Sequence, residues 1–175
     1  EMPASWPLEA LKAQAIAART YAVFNILNPK YDEYHMEADV KSQMYSGMSR
    51  ENIHSTKAIL DTKGLILTSS NQLVQAFYHS NSGGITETPE MVWGMKLDYL
   101  QSVNSEFCKQ SETHSWKVKI NASEIGSKLK HLGIGDLEDI NILETTASGR
   151  AKILEIKGSE RTTTIRGQDF RMSVG

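Results

Sequence analysis

The chain of 175 residues has one cysteine, Cys108, and four prolines. It has no apolar run near the ~20 residues needed to span a bilayer. Each shortage excludes something. A single cysteine cannot build an internal disulfide framework, and no Cys/His pattern of zinc-site type is present. Nineteen basic residues against 21 acidic ones give a formal net charge of −2, so no basic stripe or tail points to nucleic acid or to an anionic membrane surface. There is no internal repeat, no low-complexity tract and no visible secretory leader. What is there is 39% hydrophobic and 23% charged, the composition of a globular fold long enough to bury a core and carry a smaller lobe. Both ends read as cut. The chain starts in mid-motif and stops at RMSVG without a helix stop signal, so it is expected to be part of a longer protein.

The opening stretch, EMPASWPLEALKAQAIAARTYA, predicts a long helix. Pro7 suits a first turn, where its missing amide hydrogen needs no partner. Leu8, Leu11, Ala15, Ala18 and Ala22 then recur at steps of three and four, and Asn28-Pro29 ends the pattern after Leu27. A mostly alanine face lets another element approach closely. Residues 31–55 read as an irregular excursion, and Thr56–Leu60 as a short helix. Leu65–Thr68 and Leu73–Tyr78 flank the turn-like Ser69-Ser70-Asn71-Gln72 as a hairpin, followed by the small-residue loop HSNSGGITE. Further on, Trp116–Ile120 alternates as a strand. Asn121 with Glu124 resembles a capping box for a helix over 122–132 that stops at Gly133. Strands follow near 139–146, 152–157 and 161–166, and a helix begins at Gln168. The fold class is α+β: a long N-terminal helix packed on mostly antiparallel strands, with a smaller helix-plus-strands lobe in the C-terminal half. The expected division is 1–110 as the core with the helix and the loop, and 111–175 as the smaller lobe.

Several residues have both a chemical and a structural reading. Glu1 precedes a helix whose N-terminal end favours an anion. Met2-Pro3 and Trp6-Pro7 restrict the backbone and offer apolar surface, against which a carboxyl stays protonated, as a general acid requires. Glu1 reads equally as a solvated terminal acid. Lys12 and Arg19 lie two turns apart on one stripe and read either as solvated charges or as two cations facing an anionic or polyhydroxyl ligand. In the loop, His79 beside serines suggests a nucleophile–base pair, but no strand–G-x-S-x-G elbow is present. His79 as a core histidine remains open. Gly83-Gly84 mark a turn or a close backbone approach that can present amide hydrogens to a sugar or acid. Trp93 reads as a core anchor, and Tyr99 as a possible hydrogen-bond donor.

The opening stretch resembles the signature helix of the stage II sporulation protein D family, which has amidase-enhancer relatives. FYHSNSGGITE, with VWG and DYLQSV after it, resembles that family's second block in the same order, and GQDFRMSVG resembles the segment before its third. The resemblance implies a lytic transglycosylase of peptidoglycan, anchored on the outer face of the bacterial membrane by an N-terminal segment. It would cleave denuded glycan strands during engulfment, with a cell-wall amidase and a membrane anchor protein as partners. It implies Glu1 as the catalytic acid, and Lys12, Arg19, His79, Ser82, Gly83, Gly84 and Tyr99 as substrate contacts. Some relatives bind zinc near the second block through Cys and His. Here the loop carries Ser82, Ile85, Glu90 and Met91, with Cys108 well beyond, so no metal and no other cofactor is expected.

Overall fold

The computed structural model describes residues 2–39, 42–111 and 114–175, except for the side chain of Lys109. The fold is mixed α and β. By backbone contacts the chain divides into two compact units, Glu1–His79 and Ser80–Gly175.

The first unit is built on helix α1, Leu8–Leu27. It starts after Pro7 and ends at Asn28, where the pattern of apolar residues and prolines puts it. Its most buried positions are Leu11, Thr20, Tyr21 and Asn25. The two polar ones satisfy themselves by bonding back up the helix: Thr20 Oγ1 donates to the Ile16 carbonyl at 2.7 Å and Asn25 Nδ2 to the Tyr21 carbonyl at 2.8 Å. Helix α2, Ile53–Asp61, packs against α1 and is capped by the Asn52 side chain, which accepts from the His54 amide at 2.9 Å.

The hairpin after α2 is shorter than the apolar runs suggest. Only β1, Thr68–Ser69, pairs with β2, Gln72–Leu73. Ser70 and Asn71 between them both have positive φ, the form of two-residue turn that matches the strand twist. Beyond this pair the Val74 amide bonds the Leu67 carbonyl at 3.4 Å, and α1 takes other backbone groups of the incoming run. The Leu67 amide donates to Thr20 Oγ1 at 2.9 Å, and the Leu65 carbonyl accepts from Arg19 at 2.8 Å.

The second unit begins with the loop from Ser80, followed by α3, Pro89–Trp93. A 3-10 turn over Glu106–Gln110 comes next, then α4, Ala122–Lys128, with a further 3-10 turn to Leu132 and Gly133 in the left-handed conformation at its end. The antiparallel sheet β3-β4-β5 comprises Leu137–Thr145, Ala151–Gly158 and Thr162–Arg166, and α5 spans Gly167–Val174. Leu154 and Ile156 of the central strand, with Ile165, Leu129, Ile134 and Val174, form the buried core. The register of β3 is interrupted by bulges near both its ends.

Three sequence expectations are corrected. Trp116–Ile120 forms no strand: alternation alone does not make one without a neighbouring ladder, and Trp116 and Val118 are exposed. The helix starts after Asn121 as expected, but its side chain makes no cap, and the Glu124 and Ile125 amides bond its carbonyl instead. Trp93 is no core anchor; at the end of the five-residue α3 it is 49% exposed.

Gly158 closes β4 with its α-carbon against the Ile134 backbone, and a β-carbon there would collide with the Ile134 carbonyl. Backbone cannot yield as a flexible side chain does. Gly158→Ala is expected to lower the stability of the second unit by about 1–3 kcal/mol, seen as a lower midpoint in thermal unfolding; an unchanged midpoint would show that the Ile134 segment moves aside freely.

Candidate functional site

In the first unit, the alanine stripe of α1 does not close against another element. Ala15, Ala18 and Ala22 instead border a cavity of about 360 Å³, together with Met2, Arg19 and residues of α2 such as Ile59. Its walls are largely apolar, and Gln43 reaches across it to donate to the Ala18 carbonyl at 2.8 Å. Gln14 Nε2, on the same helix face, is buried with no hydrogen-bond partner among the described residues. Glu1, the candidate general acid, lies outside the described residues; its chain neighbour Met2 lines this cavity.

Lys12 and Arg19 both face α2, which the shared stripe on α1 explains. Lys12 Nζ pairs with Glu9 at 2.9 Å and with Asp61 at 3.5 Å. Its pKa is raised, first by the hydrogen bond to Glu9, against a burial cost, with Asp61 adding to the effect. Asp61 is held below its ordinary value, chiefly by its hydrogen bond from Lys57. Arg19 has a more specific place. Its guanidinium donates to the carbonyls of Thr62 at 2.7 Å, Leu65 at 2.8 Å and Ile59 at 3.3 Å. The first and last of these carbonyls, Thr62 and Ile59, belong to the end of α2 and that of Leu65 to the segment after it, and a cation there also meets the negative end of the helix dipole. Arg19 therefore closes α2 from outside while one side of it borders the cavity.

In the second unit, the 82–86 segment is tied down at nearly every residue. Gly83 and Gly84 have φ of 68° and 103°, positive angles that favour glycine. The Gly83 amide bonds Asn81 Oδ1 at 2.7 Å, the Gly84 carbonyl accepts from the Ser105 amide at 2.8 Å, and the Thr86 amide donates to the Val103 carbonyl at 2.9 Å. The turn wraps a sulfur. Cys108 Sγ lies 3.1 Å from Ser82 Oγ and 3.3 Å from Ser105 Oγ. Hydrogen bonds from Ser105 and Ser82, then the backbone of Ser82, with Gly84 contributing after the opposing effect of burial, bring the thiol pKa down to about 7. Ser82 is 4% exposed, so its hydroxyl is turned onto Cys108, whereas Ser80 and Gly83 are exposed. In the first unit His79 is exposed as well, which removes the core-histidine reading. Tyr99 sits within the turn closed by the Leu100 amide on the Leu97 carbonyl at 3.0 Å and is 36% exposed.

Sequence reasoning missed the residues that hold this loop. Glu87 Oε2 accepts from Thr146 Oγ1 at 2.6 Å and from Ser148 Oγ, and Oε1 accepts from the Thr88 amide at 3.0 Å. Arg150 donates to Ser148 Oγ at 2.7 Å, to the Ile85 carbonyl at 3.0 Å and to the Ser82 carbonyl. The only signal for them was a turn at Ala147-Ser148-Gly149-Arg150, which reads as a plain hairpin tip. Among the described residues no group of three or more His, Cys, Asp and Glu side chains is placed to hold a metal ion, and no helix is long and apolar enough to cross a membrane.

A sequence model of the SpoIID family, described as Stage II sporulation protein, matches residues 1–69. The chain is 32% identical over 190 residues to Stage II sporulation protein D of Bacillus subtilis, with all of this chain and 54% of that protein covered. It is 28% identical to the Stage II sporulation protein D of Bacillus amyloliquefaciens with the same coverage. It is 42% identical over 100 residues to the amidase enhancer of Bacillus subtilis, which covers 57% of this chain and 13% of that protein. The chain spans about half the length of the two sporulation proteins it matches.

Two outcomes follow from this geometry. Arg19→Ala should weaken the end of α2, raising amide exchange there by the equivalent of about 1.5–3 kcal/mol, with Arg19→Lys recovering part; unchanged exchange would mean that water replaces the guanidinium without loss. Glu87 offers a pH signature. Burial raises its pKa, but the hydrogen bonds from Ser148, Thr146 and the Thr88 amide, with the charge of Arg150, outweigh burial and hold it below its ordinary 4.5. The stability it adds is therefore complete above the ordinary carboxylate range and is lost as pH falls through the depressed folded value. The stability difference between wild type and Glu87→Gln should shrink only in that acid region; a difference independent of pH would remove the charge from the account.

Proposed function

Because the chain belongs to the stage II sporulation protein D family, we propose that its cell-wall-related role in sporulation is lytic transglycosylation of peptidoglycan, with Glu1 as general acid. The observation that supports this most is the apolar cavity along the alanine face of α1. Met2, the residue after Glu1, is in its wall. A carboxyl beside such a surface keeps its proton near neutral pH, since desolvation penalises the charged form.

Ordinary glycosidases use two carboxylates, one to protonate the leaving oxygen and one to attack or to activate water. One acid suffices here. Glu1 protonates the glycosidic oxygen between N-acetylmuramic acid and N-acetylglucosamine, and the bond to the muramyl anomeric carbon breaks. The muramyl 6-hydroxyl attacks that carbon, and Glu1, now a carboxylate, takes the hydroxyl proton. The product is a 1,6-anhydro-muramyl end. The nucleophile is tethered to the same sugar, so little entropy is lost in bringing it to the reacting carbon. Arg19, in the cavity wall, and Lys12, two turns before it on α1, would act on the lactyl carboxylate or on the orientation of Glu1. The 79–84 loop and Tyr99 would contribute further sugar contacts. The strands are denuded ones, prepared by a cell-wall amidase, and the whole protein works on the outer face of the membrane beside a membrane anchor protein.

The similarity to an amidase enhancer favours a second reading, a glycan-binding module that assists an amidase without cleaving strands. Product analysis separates the two. Glu1→Gln should reduce the release of anhydro-muramyl ends from denuded strands by about a hundredfold or more while strand binding persists. Undiminished release would sink the assignment of Glu1. Binding by wild type with no anhydro ends at all would favour the second reading.

A further inference from the structure

We infer that Arg150 directly, and Glu87 through Thr146 and Ser148 at the tip of the β3–β4 hairpin, are positioning residues that hold the Ser82–Ile85 backbone in its glycan-binding form. The glycan-binding part rests on the function proposed above; the clamp itself rests on geometry. Two of the carbonyls in this short segment, those of Ser82 and Ile85, have the same partner, the Arg150 guanidinium. That pairing fixes the Gly83-Gly84 turn between them from both sides. Both bonds come from Nη2, while Nη1 is held by Ser148, a division between two nitrogens that the rigid guanidinium fork provides and the single nitrogen of a lysine does not.

The arginine is itself oriented. Its other nitrogen donates to Ser148 Oγ at 2.7 Å, and Ser148 in turn donates to Glu87 Oε2. Thr146 donates to the same carboxylate oxygen at 2.6 Å, and its Oγ1 accepts from the Arg150 amide at 3.3 Å. Glu87 is only two residues beyond Ile85 in the chain, so the segment is gripped at both ends by one hairpin tip. The tip has a fixed shape: Gly149 has φ of 80°, and the Thr146 amide bonds the Arg150 carbonyl at 2.8 Å. On the other side of the segment, Ser82 is turned onto Cys108. Gly83 is left as the exposed edge, and a β-carbon there would sit 3.9 Å from Arg150 Nη2. The clamp therefore lies just behind the edge that a sugar would meet, and it makes its contacts through backbone atoms that no substitution within the loop would reveal.

The test uses the full chain, with hydrogen exchange at the 82–86 amides and kinetics and binding on amidase-stripped glycan strands. Arg150→Ala should raise exchange at these amides about tenfold or more. It should raise KM for the strands by about the same factor, with kcat changed much less. Arg150→Lys should fall between Ala and wild type, and Glu87→Gln should shift exchange and KM in the same direction by less. Unchanged exchange in Arg150→Ala overturns the clamp. Raised exchange with unchanged KM and binding overturns the positioning role and leaves a purely structural tie. If wild type fails to bind the strands, the glycan reading falls and takes the positioning role with it, while the exchange result alone still decides whether the clamp exists.

Discussion

A carbonyl at the end of a helix or in an irregular turn has no ladder to join, and leaving it without a donor away from water is costly. Much of this structure is arranged around that constraint. In the first unit the guanidinium of Arg19 meets the carbonyls where α2 ends and the hairpin begins. In the second unit the guanidinium of Arg150 meets those of Ser82 and Ile85. Neither arginine is close in sequence to what it holds. Each lets a segment without regular secondary structure keep one shape, so each is a point where a single truncation loosens backbone rather than just removing a charge.

The same constraint changes the meaning of the cations on α1. As sequence, Lys12 and Arg19 are two charges that could reach a ligand. In the fold, Lys12 pairs with Glu9 and Asp61, and Arg19 is occupied with α2. Arg19 also borders the cavity, so its side chain joins the end of α2 to the cavity wall.

The long-period features of the fold were legible. The proline start and Asn-Pro end of α1, the three strands β3, β4 and β5, and the Ser70-Asn71 turn have local signals, and the structure has them close to where the sequence puts them. The failures share a cause. Trp116–Ile120 alternates like a strand but pairs with no strand among the described residues, and the run before β1 gives backbone groups of Leu67 and Leu65 to Thr20 and Arg19, more than 45 residues away. Glu87 and Arg150 were invisible for the same reason: their contacts span about 60 residues, and no spacing rule connects a small-residue loop to a distant turn. The Ser82 hydroxyl looked available and is instead turned inward, because the lone cysteine, far along the chain, fills the inside of the turn.

The bulges in β3 have one more effect. In the order β3-β4-β5, β3 is an edge, and an unpaired edge is a template on which another chain can add a strand. The register of β3 breaks near Leu137–Asp139 and again at Ile142–Thr145, so its outward hydrogen-bonding groups do not form a continuous row. Glu138 and Glu144 along it are paired with Lys157 at 3.6 Å and Lys152 at 2.9 Å, so a second copy would have to displace charged side chains to reach the strand. The strand that carries the clamping hairpin is in this way also guarded against self-association, and straightening it would place Ile142 and Leu143, already half exposed, on a regular edge prone to aggregation.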